Sequence, residues 1–177
     1  MAFDKEKHHR RSIRLQGYDY TQNGGYFVTI CTTQRECLFG NVTDTGEMLP
    51  NTIGKVVEEC WLAIPNHFPF VELDAFVVMP NHIHGILMLF SDASKNPEVR
   101  FGKPAAGSLG MIIGNFKAAA SRNINRLNPP AATPLWQKNY HDEIIRNEKM
   151  LNAIRVYIEA NPMNWASDEN NLIGRTP

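Results

Sequence analysis

The stretch Glu72-Leu73-Asp74-Ala75-Phe76-Val77-Val78-Met79-Pro80-Asn81-His82-Ile83-His84-Gly85-Ile86-Leu87-Met88-Leu89-Phe90 decides the fold. Residues 72–79 and 82–90 are rich in β-branched, aromatic and long apolar side chains and read as two strands. Pro80-Asn81 is too short a link for a crossover, so the strands form an antiparallel hairpin. Side chains two apart in a strand share a face, which sets His82 and His84 side by side with Ile83 on the opposite face.

Working outward, Gly24-Gly25 is a turn signal and residues 26–33 (Tyr-Phe-Val-Thr-Ile-Cys-Thr-Thr) read as a strand. Residues 51–64 carry Ile53, Val56, Val57, Cys60, Trp61 and Ile64 at helical spacing, and Pro65 is expected to end that helix. Residues 91–104 read as a polar loop. Residues 108–126 read as a second helix with Ser108 as its N-cap. A Pro-rich loop follows at 128–134, then a short strand within 136–146. A third helix over 147–160 turns Met150, Leu151, Ile154 and Ile158 inward, with Pro162 beyond its end. The order β-α-β-β-α-β-α predicts an α+β, ferredoxin-like split βαβ fold: an antiparallel sheet with helices on one face and a further C-terminal helix. With 177 residues and no repeat or interior linker, one domain over 1–177 is expected, its core at about 8–165 between short flexible termini.

The chain holds 18 Lys+Arg and 18 Asp+Glu, with 43% hydrophobic residues, which excludes a disordered or collagen-like chain. A net charge of zero also argues against a general nucleic-acid coat protein, because neutralising phosphate takes an excess of Lys and Arg. The zero is a sum of unlike segments. Residues 40–99 hold two basic and eight acidic residues, whereas residues 100–141 hold Arg100, Lys103, Lys117, Arg122, Arg126 and Lys138 and no acid. That pattern predicts one basic groove on a neutral body. Cys31, Cys37 and Cys60 lack C-x-x-C spacing and read as free thiols of a reducing cytosol. The charged first 14 residues are no signal peptide, and the longest apolar stretches are too short to span a bilayer, so a cytoplasmic protein without a membrane partner is expected.

Paired strand histidines suit two ligands of one divalent ion, although two hydrogen-bonded or solvent-facing histidines would give the same pattern. Two imidazoles leave a metal short of ligands. Tyr157 and Asn161 are four apart and share a helix face. Pro162 disfavours α conformation at the residue before it, which puts Asn161 at the helix end, where its amide oxygen is a hard ligand for Mg²⁺ or Mn²⁺. Tyrosine forms covalent intermediates, and a metal opposite it can polarise a phosphate. Tyr157 also fits as a core-edge residue, being one turn from Ile154 and next to Ile158.

Val77-Val78-Met79-Pro80-Asn81-His82-Ile83-His84-Gly85-Ile86 resembles the His-hydrophobic-His strand of the single-tyrosine HUH (IS200-like) transposases. Residues 136–146 (Trp-Gln-Lys-Asn-Tyr-His-Asp-Glu-Ile-Ile-Arg) and 154–162 (Ile-Arg-Val-Tyr-Ile-Glu-Ala-Asn-Pro) resemble the REP-associated tyrosine transposase branch of that family. The likeness runs from about His8 to Trp165. It implies a ferredoxin-like fold and cleavage and joining of single-stranded or hairpin DNA through a 5′-phosphotyrosine, in transposition or repeat dispersal. It implies a divalent metal, Mg²⁺ or Mn²⁺, on His82, His84 and Asn161, with Tyr157 as the nucleophile. Tyr140 competes for that role but more readily packs or stacks on a base. No nucleotide cofactor is expected, since the phosphotyrosine stores the bond energy and no Gly-rich phosphate loop is present. Expected DNA contacts are Arg10, Arg11 and Arg14 in the early basic run, Lys117, Arg122 and Lys138 in the acid-free stretch, and Tyr140. Family members that transpose are usually dimers, so a homodimer is one expected state and a monomer the other. DNA binding would also bring the protein to the nucleoid. Rival readings are a domesticated hairpin-binding protein without catalysis, and a metallohydrolase unrelated to DNA.

Overall fold

The computed structural model describes Asp19 and residues 21–90, 107–127 and 133–172. Arg10, Arg11, Arg14, Arg100 and Lys103, the loop expected at 91–104, most of the Pro-rich loop and the outermost termini lie outside the described residues. Strand β1 is Gly24–Cys31, and a small hairpin of β2 (Gly40–Val42) and β3 (Met48–Pro50) follows. Helices α1 (Thr52–Leu62) and α2 (Ile64–His67) lead into β4 (Val71–Val78) and β5 (His82–Leu89). Then come α3 (Leu109–Leu127), β6 (His141–Ile145) and α4 (Glu148–Ala160).

The main sheet has the order β4-β5-β1-β6 and every neighbouring pair is antiparallel. Strands β1 and β4 therefore run parallel with β5 between them, and β5 and β6 run parallel with β1 between them. These are two interlocked split βαβ units, as the order of elements predicted. The hairpin expected across Pro80-Asn81 forms, with Val78 opposite Ile83.

Both faces of the central strands are covered. Tyr26, Val28 and Ile30 of β1 and Ile83 and Leu87 of β5 pack with Trp61 of α1 and Ile112 and Phe116 of α3. On the other face Phe27 and Ile86 pack under Leu151, Ile154 and Ile158 of α4. Burial of each such side chain stabilises by roughly 1.5–3 kcal/mol. Asn147 caps α4 by accepting a 2.9 Å hydrogen bond from the Met150 amide. Asn51 caps α1 in the same way through the Gly54 amide.

Four local features depart from expectation. Pro65 does not end the helical run but occupies the first turn of α2, where its missing N–H is not needed. Gly24 and Gly25 belong to β1 itself, and the strand stops at Cys31. The β2–β3 hairpin was not anticipated. Strand β4 carries a bulge: Leu73 pairs Leu87 and Phe76 pairs Gly85, so Asp74 and Ala75 on β4 stand against Ile86 alone on β5. Asp74 sits in that bulge and takes a bidentate pair from Arg155 of α4, at 2.9 Å from Nε and 2.6 Å from Nη2.

Gly85, between His84 and Ile86, faces the core side, where a Cβ would overlap the Trp61 indole. The glycine of the His-Ile-His-Gly run is thus dictated by the ring behind it. Gly85→Ala is expected to destabilise by about 1–3 kcal/mol through overpacking, read by urea unfolding. Unchanged stability would mean that the ring has room to move.

Candidate metal centre

The site lies on the α4 side of the sheet, where β5 presents His82 and His84 and β1 presents Thr29 and Cys31 opposite them. Both histidines are buried, at 0% and 2% exposure, and their ring centroids are 4.4 Å apart. Phe27 stacks on His84 at 5.4 Å, and Trp165 lies 6.0 Å from His82.

Hydrogen bonds determine which nitrogen of each ring carries a lone pair. Asn81 Nδ2 donates to the backbone oxygens of Arg35 and Asn170, so its Oδ1 is the atom turned to His82 Nδ1 at 2.8 Å. His82 Nδ1 therefore carries the proton, and Nε2 is a bare lone pair, buried and without a partner. His84 Nδ1 meets Thr29 Oγ1 at 2.8 Å, and its Nε2 meets the Tyr157 hydroxyl at 3.2 Å. With the phenol donating to Nε2, the His84 proton sits on Nδ1 and goes to Thr29. Both Nε2 lone pairs thus belong to the site, each oriented by an outer partner.

Tyr157 reaches His84 because α4 lays its Leu151, Ile154 and Ile158 stripe on the sheet and leaves Tyr157 at the stripe's edge, 44% exposed. Asn161 stands at the end of α4 as expected, but with helical backbone (φ −59°, ψ −43°) despite the proline after it. The helical course therefore continues in tight turns through Trp165–Ser167, a 3₁₀ turn, and brings Asp168 back beneath the histidines. Asn161 Nδ2 donates to Asp168 Oδ2 at 3.1 Å, which leaves Asn161 Oδ1 buried and unpartnered. Asp168 Oδ1 accepts from the Asn170 amide at 2.6 Å.

Ligand atoms of His82, His84 and Asp168 all lie within 4.8 Å of one another. Two imidazole nitrogens and a carboxylate, with the orphaned Asn161 oxygen beside them, form a donor set that fits a divalent cation. Burial pushes both imidazoles down to about 3, with the Arg35 charge adding to His82 and the His82 charge to His84. They are neutral, and so competent as ligands, throughout the neutral range. Burial first, then the carboxylates of Asp168 and Glu169, raises the Tyr157 phenol above its ordinary value.

Of the remaining candidates among the described residues, Lys117, Lys138 and Tyr140 lie close together and Arg122 stands apart. Lys117 Nζ donates to the backbone oxygens of Gln137 (2.9 Å) and Asn139 (3.0 Å) and lies 5.6 Å from the Tyr140 ring centroid, and burial lowers it to about 8. It fastens the loop before β6. Arg122 lines a groove between α1, α2 and α3, on the far side of the sheet, and Lys138 borders a separate groove against α3. The described basic residues of the acid-free stretch are therefore divided between two grooves bordered by α3. Tyr140 stands beside β6, away from α4. All three thiols are free, with Cys31 and Cys60 buried. No helix among the described residues is long and apolar enough to cross a membrane. Sequence reasoning missed Asp168, which follows α4 in a segment without periodicity, and the buried amide of Asn81.

No protein-family model matches the chain. An uncharacterized protein of Haemophilus influenzae is 38% identical to it over 174 residues, 92% of this chain and 93% of that one. The two proteins belong to one family. Among solved structures, that of the REP-associated tyrosine transposase bound to a REP hairpin superposes with a TM-score of 0.61 at 18% identity, over 89% of this chain and 77% of that one. The chain has the fold of that transposase.

Two measurements check the centre. Asn81→Leu removes the acceptor that holds the His82 proton on Nδ1, and is expected to weaken Mn²⁺ binding about 10–100-fold by calorimetry. The second is pH dependence in chelator. Unfolded, both imidazoles take up protons below about 6.5, but folded they do so only near 3. The unfolded state binds more protons in that window, so stability falls as the pH drops below about 6.5. The His82→Gln/His84→Gln double variant is expected to lose the part of this slope that lies above about pH 5, where carboxylates contribute little.

Proposed function

We propose that the protein cuts and rejoins single-stranded or hairpin DNA, with Tyr157 as nucleophile and His82, His84, Asn161 and Asp168 as the seat of a divalent cation, Mg²⁺ or Mn²⁺. The observation that carries this reading is the hydroxyl of half-exposed Tyr157, 3.2 Å from Nε2 of His84, a histidine clustered with His82 and Asp168, with His82 Nε2 and Asn161 Oδ1 buried without a partner. A phenol over a cluster of oriented donor atoms is what attack on a phosphodiester requires. The shared fold with a tyrosine transposase bound to a hairpin supports the choice of DNA as substrate.

A divalent cation at these donors would polarise the scissile phosphate and offset charge on its oxygens. Tyr157 Oη attacks phosphorus, and the bond from phosphorus to the 3′ oxygen breaks. That oxygen takes up a proton and leaves as a 3′-hydroxyl, while the 5′ side stays linked to Tyr157. His84 Nε2 cannot hold the phenol proton and serve as a ligand at once, so a cation held there would leave the hydroxyl free of that bond. The phenol proton goes to solvent, to which Tyr157 is open. A second 3′-hydroxyl reverses the step, and no external energy source is consumed. One chain supplies every group named.

Tyr157→Phe is expected to abolish cleavage of hairpin DNA in Mn²⁺ on a denaturing gel and to leave hairpin affinity within about twofold, since it removes a single hydroxyl and keeps the ring. Equal cutting by this variant would overturn the nucleophile assignment. Binding without cutting by the unsubstituted protein would favour the binding-only reading. Because the phenol is raised, the cleavage rate is expected to climb with pH across the neutral range.

A further inference from the structure

Beside the cation site, across Thr29, lies a second cavity of about 310 Å³. Its walls come from four parts of the chain: Thr29 and Cys31 on β1, Arg35 in the turn after it, residues 137 and 139–141 in the loop before β6 and at its start, and Glu169 and Asn170 in the tail after α4. Thr29 is shared with the cation site, because its hydroxyl bonds His84 Nδ1 and its backbone pairs with both His84 and His141. An occupant of this cavity therefore sits one side chain away from the histidine that touches Tyr157.

Two features mark the cavity as built. Asn170 is 3% exposed, and its Nδ2 is buried with no acceptor, while its Oδ1 takes only a 3.7 Å contact from the Cys31 thiol. A buried donor without a partner costs about 1–3 kcal/mol, an expense that an arriving acceptor removes. The backbone of the facing wall is also held in advance. Lys117 pins the loop through the Gln137 and Asn139 carbonyls and lies against the Tyr140 ring, so the course of the loop is set before anything binds. Amides, an aromatic ring and an imidazole around a space of this size, with Arg35 tied to the Glu169 carbonyl at its border, suit a flat heterocycle with acceptor atoms on its edge. The space is at the small end for ligand sites and is far too small for a duplex.

We propose that this cavity takes one unpaired nucleobase of the strand that crosses the cation site, next to the scissile phosphate. The base lies against Tyr140 and places an acceptor atom on Asn170 Nδ2. The proposal rests on the reading of the site as DNA-cleaving and adds to it the residues that select the cut position.

The test is enrichment of DNA hairpins with a randomised single-stranded flank, in chelator so that cleavage plays no part. The probes are the full-length protein, Asn170→Asp, which exchanges the donor for an acceptor at the same shape, and Tyr140→Ala. The unsubstituted protein is expected to show a base preference of about tenfold at one flank position, the size of one hydrogen bond in affinity. Asn170→Asp and Tyr140→Ala each flatten that position and leave the others as they were. Loss of enrichment at all positions together, or no change at any, overturns the cavity while leaving the DNA reading intact. If the unsubstituted protein enriches no hairpin, the DNA reading falls and the cavity's ligand falls with it. Should Asn170→Asp fail to fold, the Tyr140→Ala arm decides alone.

Discussion

The amide of Asn81 has no exposed surface, and all of its polar atoms are engaged. Its Nδ2 holds the carbonyl of Arg35 after β1 and that of Asn170 in the tail. Its backbone oxygen takes both the amide and the hydroxyl of Thr32. Only Oδ1 is left for His82. Rotating this amide by half a turn would set a donor against His82 Nδ1, drive the imidazole proton to Nε2 and cancel the lone pair that faces the cation site. The chain accepts local strain to present the Arg35 carbonyl. Gln34 and Arg35 both adopt left-handed φ values (56° and 55°), which costs of order 1–3 kcal/mol per non-glycine residue.

Tyr157 is positioned by a different kind of force. Helix α4 lies on the sheet through an apolar stripe, which fixes its height but resists sliding weakly. The bidentate pair between Arg155 and the bulged Asp74 fixes its register, two residues before Tyr157. An extra residue in β4 thus turns a carboxylate toward the helix, and an irregularity in an edge strand determines where a phenol stands over a central one.

The alternation that placed His82 and His84 on one face was legible in the sequence, because strand period and turn length admit a single register. The Tyr157–Asn161 pair was legible for the same reason on a helix. Asp168 was not, since its position depends on a helical course that continues past Pro162, and dihedrals at such a junction are settled by packing. The bulge at Asp74 was hidden because an added residue leaves hydrophobicity unchanged and only shifts its phase. The acid-free stretch 100–141 suggested a single basic groove, but charge along a chain says nothing about which way each side chain is turned. Helix α3 and the loop before β6 meet, yet Arg122 borders a different groove from Lys138, and Lys117 is turned inward to carbonyls.

The bond from Asn81 to Asn170 joins residues 89 apart in sequence, and that from Arg35 to Glu169 joins residues 134 apart. Closing loops of that size comes late in folding, after the sheet offers a surface to close upon. During synthesis, the paired histidines leave the ribosome well before the tail that orients them. A nascent chain can thus complete its sheet while the centre is still unformed, and the donor set is assembled only when residues 161–170 are free to dock.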